Sequence, residues 1–181
     1  MEILLKIREH KLLKQVNQGE NQAFEEFYGL YVKKIYRFIY YRINSKQDAH
    51  DLTSETFCRA WQSAAQGSKI ENLKAFIYRI AHNLVVDFYA QKQKAPLELN
   101  EELKETLPDG GSLDKNIDVD LDLEQVKRAI KKLPSNYQEI LIMRFLDELS
   151  ISEISQVLGK SKNNIYVLIH RALSVLKKEL K

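Results

Sequence analysis

Cysteine is nearly absent from this chain: Cys58 is the only one in 181 residues. Neither an intramolecular disulfide nor a cysteine-based metal cluster can therefore form. Proline is scarce and unevenly placed. All three (Pro96, Pro108 and Pro134) lie beyond residue 95, so nothing before that point forbids long helices. No run approaches the roughly 18 apolar residues that a membrane span needs. The opening Met1-Glu2-Ile3-Leu4-Leu5-Lys6 lacks the apolar stretch and cleavage site of a secretory signal. Together these absences predict a protein of the reducing cytoplasm with no membrane insertion.

Charge is present in both signs but is sorted along the chain. Residues 1–95 carry 15 Lys/Arg against 10 Asp/Glu, and residues 125–181 carry 11 against 5. Residues 96–124 reverse the balance, with 2 against 10. Two basic bodies thus flank an acidic connector, which suggests that bodies and connector meet different partners. Basic bodies suit nucleic acid, although solvated helix faces give the same pattern. Pro96, Pro108, Gly110 and Gly111 punctuate the acidic stretch, whose weak periodicity marks a linker.

Apolar spacing predicts helices near residues 3–17, 21–44, 47–65 and 71–92. In the second, Phe24, Phe27, Tyr28, Tyr31, Ile35, Phe38 and Ile39 recur at helical intervals. In the fourth, Leu73, Phe76, Ile77, Ile80, Ala81, Leu84 and Phe88 share the inward face. Ser68 with Glu71 has the spacing of a capping box there, and Asn72 is an equally good N-cap. Beyond the linker, helices are expected at about 122–133, 135–147, 151–158 and 162–179. Ser135 with Gln138, and Ser150 with Glu153, repeat the capping-box spacing. No alternating strand pattern occurs. The fold class is all-α, with two small helical domains: residues 1–94 and 122–181, joined by the linker at 95–121.

The last two helices have DNA-binding geometry. Ile151, Ile154, Val157 and Leu158 give the first a buried face, and Gly159 can supply the positive φ that ends it. Ile165, Ile169, Ala172 and Leu176 pin the second against the first. Ser161 can cap that second helix. Its outer face then carries Lys162, Asn163, Asn164, Tyr166, His170 and Arg171. In a helix-turn-helix such side chains reach base edges while backbone amides favour phosphate. An ordinary helical hairpin is the bland alternative.

Asp48, Asp51 and Glu55 place three carboxylates on one face of the third helix. A bundle metal site would need partner carboxylates and a Glu-x-x-His spacing. The residues three before His10, His50, His82 and His170 are Ile7, Gln47, Arg79 and Val167, so no metal ligand or catalytic residue is assigned. A solvated face and a protein-docking face both remain open. The fourth helix mixes Tyr78, Arg79, His82 and Asn83 with Phe88, Tyr89, Lys92 and Lys94. Aromatic, amide and basic groups together suit stacking and backbone contact with an opened DNA strand.

Four segments carry a resemblance. They are Gly19-Glu-Asn-Gln-Ala-Phe-Glu-Glu-Phe-Tyr28, Asp48-Ala-His-Asp-Leu-Thr-Ser-Glu-Thr-Phe57-Cys-Arg-Ala-Trp61, Ala75-Phe-Ile-Tyr-Arg-Ile-Ala-His-Asn83-Leu-Val-Val-Asp87, and Leu133-Pro-Ser-Asn-Tyr-Gln-Glu-Ile-Leu141 through Arg171-Ala172. In this order they resemble the extracytoplasmic-function group of bacterial RNA polymerase sigma factors. The resemblance implies that residues 19–94 are sigma region 2 and residues 124–178 are region 4. It implies that Asp48, Asp51, Leu52, Glu55, Thr56, Phe57 and Trp61 grip the clamp helices of the polymerase's largest subunit, with the polymerase flap as a further contact. It assigns the −10 element to Lys69, Asn72, Lys74, Tyr78, Arg79, His82 and Asn83, and the −35 element to the helix-turn-helix. The partners it implies are core RNA polymerase, promoter DNA and an anti-sigma factor, with no cofactor and no catalysis. The sequence departs from the family where Phe76 replaces a frequent Trp. It also departs at Tyr166, Val167 and Leu168, where basic or small polar residues are common. A stand-alone helix-turn-helix regulator is the main rival, and it would need no acidic docking helix.

Overall fold

The computed structural model describes the backbone of residues 2–94, 126 and 128–180. The linker expected at 95–121 lies outside the described residues, as do the first positions of the helix expected from 122. Among the described residues seven α-helices are bounded: α1 (Glu2–Asn17), α2 (Asn21–Ile43), α3 (Lys46–Ala65), α4 (Leu73–Lys94), α5 (Ser135–Leu141), α6 (Ile151–Leu158) and α7 (Lys162–Glu179). Residues 128–132 are also helical. No strand occurs among the described residues.

α1 to α4 form the first bundle. α2 buries Ala23, Phe27, Tyr31, Ile35, Phe38 and Ile39 along one stripe. α3 meets it with Ala49, Thr53, Thr56, Phe57, Ala60 and Ala64. The small residues on α3 let the two axes approach, and the large rings of α2 fill the space between them. Each large apolar side chain removed from water contributes about 1.5–3 kcal/mol. Asn44 closes α2 in the left-handed region (φ 58°), and the next residue, Ser45, caps α3 by accepting from the Asp48 amide. The loop before α4 is pinned to α1. Asn17 donates to the Ile70 carbonyl at 2.8 Å and accepts the Ile70 amide at 2.9 Å. Asn72 is the N-cap of α4, taking the Ala75 amide at 2.8 Å. Ser68 is not used in this way.

The second bundle packs α5 against α7 and α6 against both α7 and α4. Ser150 and Glu153 close the capping box expected of them, and Gly159 ends α6 at φ 61°. Two sequence expectations change here. Ser135 and Gln138 form no capping box: Pro134 occupies the N-cap position without a side-chain bond. Gln138 turns back instead and donates to the Lys131 and Leu133 carbonyls at 2.9 and 2.8 Å. The helix expected over 135–147 also widens, since residues Ile142–Leu146 form a π turn. The Asp147 amide reaches the Ile142 carbonyl, five residues back, at 3.0 Å. Four consecutive residues, Ile140 to Met143, are at most 1% exposed. No single helix face holds four in a row, so this segment is enclosed from several sides.

α7 covers it within its own bundle, and the first bundle covers it from another side. α4 lies between α2 and α3 on one side and α6 on the other, and α5 touches α2. The two bundles share one continuous core.

Candidate functional site

Three surfaces hold the residues singled out in the sequence. On α3, Asp51 and Glu55 are exposed and Asp48 is half-buried. Glu55 pairs with Arg59 one turn on, at 2.7 Å, and Asp48 stands 3.9 Å from Lys92. Asp51 has no such partner among the described residues and is the freest negative charge of the three. Trp61 is 39% exposed, with Phe24 against its ring at 5.1 Å. Leu52 is half-buried. Thr56 and Phe57 are not on this surface. The Thr56 hydroxyl donates to the Leu52 carbonyl at 2.6 Å, and Phe57 packs among Phe27 and Tyr28. Both face inward because they share the stripe of Ala49, Thr53 and Ala60, so they support the docking helix from beneath.

On α7 every expected side chain is outward. Ser161 accepts the Asn164 amide at 3.3 Å and fixes the first turn. Lys162, Asn163, Asn164, Tyr166, His170 and Arg171 are exposed, while Ile165 and Ala172 are buried beneath them. Tyr166 (59% exposed) and Val167 (47%) make the centre of this face apolar. Lys162 and Arg171 stand at its two ends, so the helix offers cations and amides around an apolar middle.

The third surface differs from expectation. In the loop before α4 and on α4 itself, Lys69, Arg79 and Asn83 are exposed, whereas Asn72, Lys74 and His82 are half-buried and Tyr78 is fully buried. Tyr78 was expected outward because a two-layer helix has one wet face. α4 has neighbours on both sides, so Tyr78 packs on Phe38 with ring centroids 5.2 Å apart. Its hydroxyl faces Asp147 without a well-formed hydrogen bond. Burial, and then the Asp147 charge, push that hydroxyl's pKa far up.

The three half-buried polar groups of this surface are engaged by the second bundle. Asn72 donates to Glu153 at 3.1 Å, and Lys74 donates to the Glu148 carbonyl at 3.0 Å. His82 Nδ1 lies 2.6 Å from Glu139. The same Glu139 oxygen accepts from Arg42 of α2 at 2.6 Å, in a pair whose side chains are only 4% and 6% exposed. Arg37 of α2 bonds the Asp147 carboxylate and, at 3.0 Å, the Leu146 carbonyl. Burial lowers the pKa of Arg42 and of Lys74, with nearby carboxylates opposing the shift. Asp147 is raised by its own burial, which Arg37 only partly offsets. Sequence reasoning missed Arg37, Arg42, Glu139 and Asp147. The one signal available was that Arg37, before Phe38, and Arg42, before Ile43, interrupt an otherwise apolar and aromatic stretch of α2.

Comparison with known proteins fits this geometry. The family model described as Sigma-70 region 2 matches residues 27–95, and Sigma-70, region 4 matches residues 123–176. The ECF RNA polymerase sigma factor SigW of Bacillus subtilis is 30% identical, over 100% of this chain and 99% of its own length. SigM, also an ECF RNA polymerase sigma factor of Bacillus subtilis, is 29% identical over 86% of this chain and 93% of its own. Among solved structures, CnrH in complex with the cytosolic domain of CnrY aligns with a TM-score of 0.69 at 20% identity, covering 95% of this chain and 96% of that one. The sigma factor RpoE of Bartonella quintana, in complex with the anti-sigma factor NepR, aligns at 0.65 and 22%, covering 88% and 97%. These two likenesses establish the fold. With both sigma regions matched in order and a full-length relative at 30% identity, the chain belongs to the extracytoplasmic-function RNA polymerase sigma factors and directs promoter-specific transcription initiation.

Proposed function

We propose that three helix faces divide this task. Residues 1–94 act as region 2, 95–121 as the connector and 122–181 as region 4. The exposed carboxylates of α3, with Trp61, dock on the clamp helices of the polymerase's largest subunit, and region 4 meets the flap. The loop and α4 residues Lys69, Asn72, Lys74, Arg79, His82 and Asn83 read and help open the −10 element. Ser161 through Arg171 on α7 read the −35 element. Thr56, Phe57 and Tyr78 are left out of direct contact, since in this arrangement they are core. The chain carries no catalysis of its own and works in the cytoplasm; among the described residues no helix is long and apolar enough to cross a membrane. An anti-sigma protein is a fitting regulator, because the solved relative from Bartonella quintana is bound to one.

The observation that carries the reading is the separation of charge between two exposed faces. α3 offers the exposed carboxylates of Asp51 and Glu55 to a protein, and α7 offers cations and amides to a phosphate backbone. In vitro transcription with core polymerase and a promoter library, followed by sequencing of start sites, is the test. Shared −10 and −35 elements upstream of the starts are expected. Asn83→Ala should slow open-complex formation, and a pre-melted bubble should restore the rate. Initiation without any shared upstream element would overturn the reading.

A further inference from the structure

The packed arrangement and the promoter are incompatible in scale. Elements named −10 and −35 lie about 25 base pairs apart, or roughly 85 Å at about 3.4 Å per step. Yet α4, which faces the first, touches α6 of the helix-turn-helix that faces the second. The chain as folded here cannot serve both elements at once. The contact is also selective. It engages Asn72, Lys74 and His82 while leaving Lys162, Asn163, Asn164 and Arg171 exposed.

The chemistry of the contact is that of a nucleic-acid strand. From α2 and α4 come two guanidiniums, an ammonium, an imidazole and an amide. From the second bundle come the carboxylates of Glu139, Asp147 and Glu153 and the carbonyls of Leu146 and Glu148. Donors lie on one side and anionic or carbonyl oxygens on the other, the polarity that a phosphate backbone would present. The fit is incomplete. Arg37 Nε and Arg42 Nε are buried without a hydrogen-bond partner, and the Tyr78 hydroxyl faces Asp147 without a well-formed bond. A buried polar group without its partner opposes the packed state, so the interface is held short of its best and can be opened by a competitor that satisfies these groups.

We propose that the acidic edge of the second bundle, centred on Glu139 and Asp147, is an internal stand-in for single-stranded DNA, seated on a strand-binding face of the first bundle that includes Arg37 and Arg42. The free chain is thereby masked for strand binding but not for −35 duplex binding, and opening exposes the two arginines to bind phosphate. This rests on the reading of α4 as the promoter-strand face, and it adds the two α2 arginines and the mask.

The test uses the full chain in two measurements. Spin labels on native Cys58, which is exposed on α3, and on Ser174→Cys, exposed on α7, report the distance between the bundles. Binding of a twelve-residue oligothymidylate, a strand of neutral sequence, reports access to the phosphate-binding face. Wild type should give one short distance and weak strand binding. Glu139→Gln with Asp147→Asn should lengthen the distance and tighten strand binding roughly tenfold, since affinity scales with the open fraction. The logarithmic salt slope should steepen by about 0.7 for each phosphate that the unmasked face neutralises. Arg37→Gln with Arg42→Gln in that background should return strand binding to the wild-type level. Should the double variant lose helicity, Asp147→Asn alone serves, because its partner Arg37 is 41% exposed and can be rehydrated. A long distance in wild type, a short distance in the variant, or opening without tighter strand binding each overturns the proposal. Its failure is distinct from failure of the promoter reading, which Asn83→Ala scores separately in transcription.

Discussion

At the scale of single residues, Asp147 is the most instructive. It follows the π turn, is 3% exposed, and faces Arg37, Lys34 and Tyr78. Burial raises its pKa above the ordinary carboxylate value, and the cations only moderate that rise. A carboxyl raised on folding holds its proton more tightly in the packed chain than in the exposed one. Its contribution to stability is therefore full below the ordinary carboxylate pKa and is lost as pH climbs through the raised value. Tyr78 does not titrate in that window, because its own pKa is pushed far higher. Asp147→Asn should flatten this part of the pH profile. The thermal midpoint of wild type should fall relative to the variant as pH rises above the ordinary carboxylate value. Parallel profiles across that range would show that Asp147 is already charged at no cost.

At the scale of helices, α3 and α7 lend themselves to substitutions that leave the core alone. Asp51→Lys reverses the freest charge on the docking face without touching a buried neighbour. It should weaken capture by core polymerase while helicity stays normal, and an unchanged pull-down would remove α3 from that interface. On α7, structure and recognition can be separated. Gly159→Ala places a side chain at φ 61°, where a Cβ meets nothing within 4 Å, so its cost of about 1–2 kcal/mol is purely backbone. Ser161→Ala should cost about 1 kcal/mol as a lost cap. Arg171→Ala should instead leave stability alone and weaken −35 duplexes of every sequence alike. Asn163→Ala or Asn164→Ala should relax base preference, by about 1–3 kcal/mol if a bidentate contact is lost. Equal effects of all these substitutions on every duplex would mean that the helix contributes charge alone.

This level also shows what was legible in the sequence. Helix ends were readable wherever local chemistry set them: Gly159 by its positive φ, and Ser150 with Glu153 by reciprocal bonds. The outward face of α7 was readable because Ile165 and Ala172 fix its rotation. Tyr78 was not, because its burial depends on a second neighbour of α4 that no local period announces. The partners of Arg37 and Arg42 lie 110 and 97 residues away in sequence, and one sequence contains no record of such pairings. Ser135 with Gln138 had the right spacing, yet Gln138 found better acceptors in the preceding turn.

At the scale of the whole molecule, the connector sets what the two bundles can reach. Residues 95–121 number 27, and at about 3.3 Å each a chain of that length extends to roughly 90 Å. That exceeds the roughly 85 Å between −10 and −35 sites at about 3.4 Å per base pair. Length alone is therefore just sufficient, and the breadth of the bundles supplies the margin for a path that is not straight. Removing residues 100–119 would leave a reach of only about 23 Å at the same rise per residue. The breadth of the bundles adds something to that, since the 18 residues of α7 span about 27 Å at roughly 1.5 Å each. The total still falls short of the promoter's span. The shortened chain should keep its helicity and bind an isolated −35 duplex as before, because neither bundle is altered. It should fail to initiate on promoters that need both elements in register. Initiation at the wild-type level on such promoters would mean that the polymerase or the DNA bends to bring the two sites together, and that the connector's length is set by something other than reach.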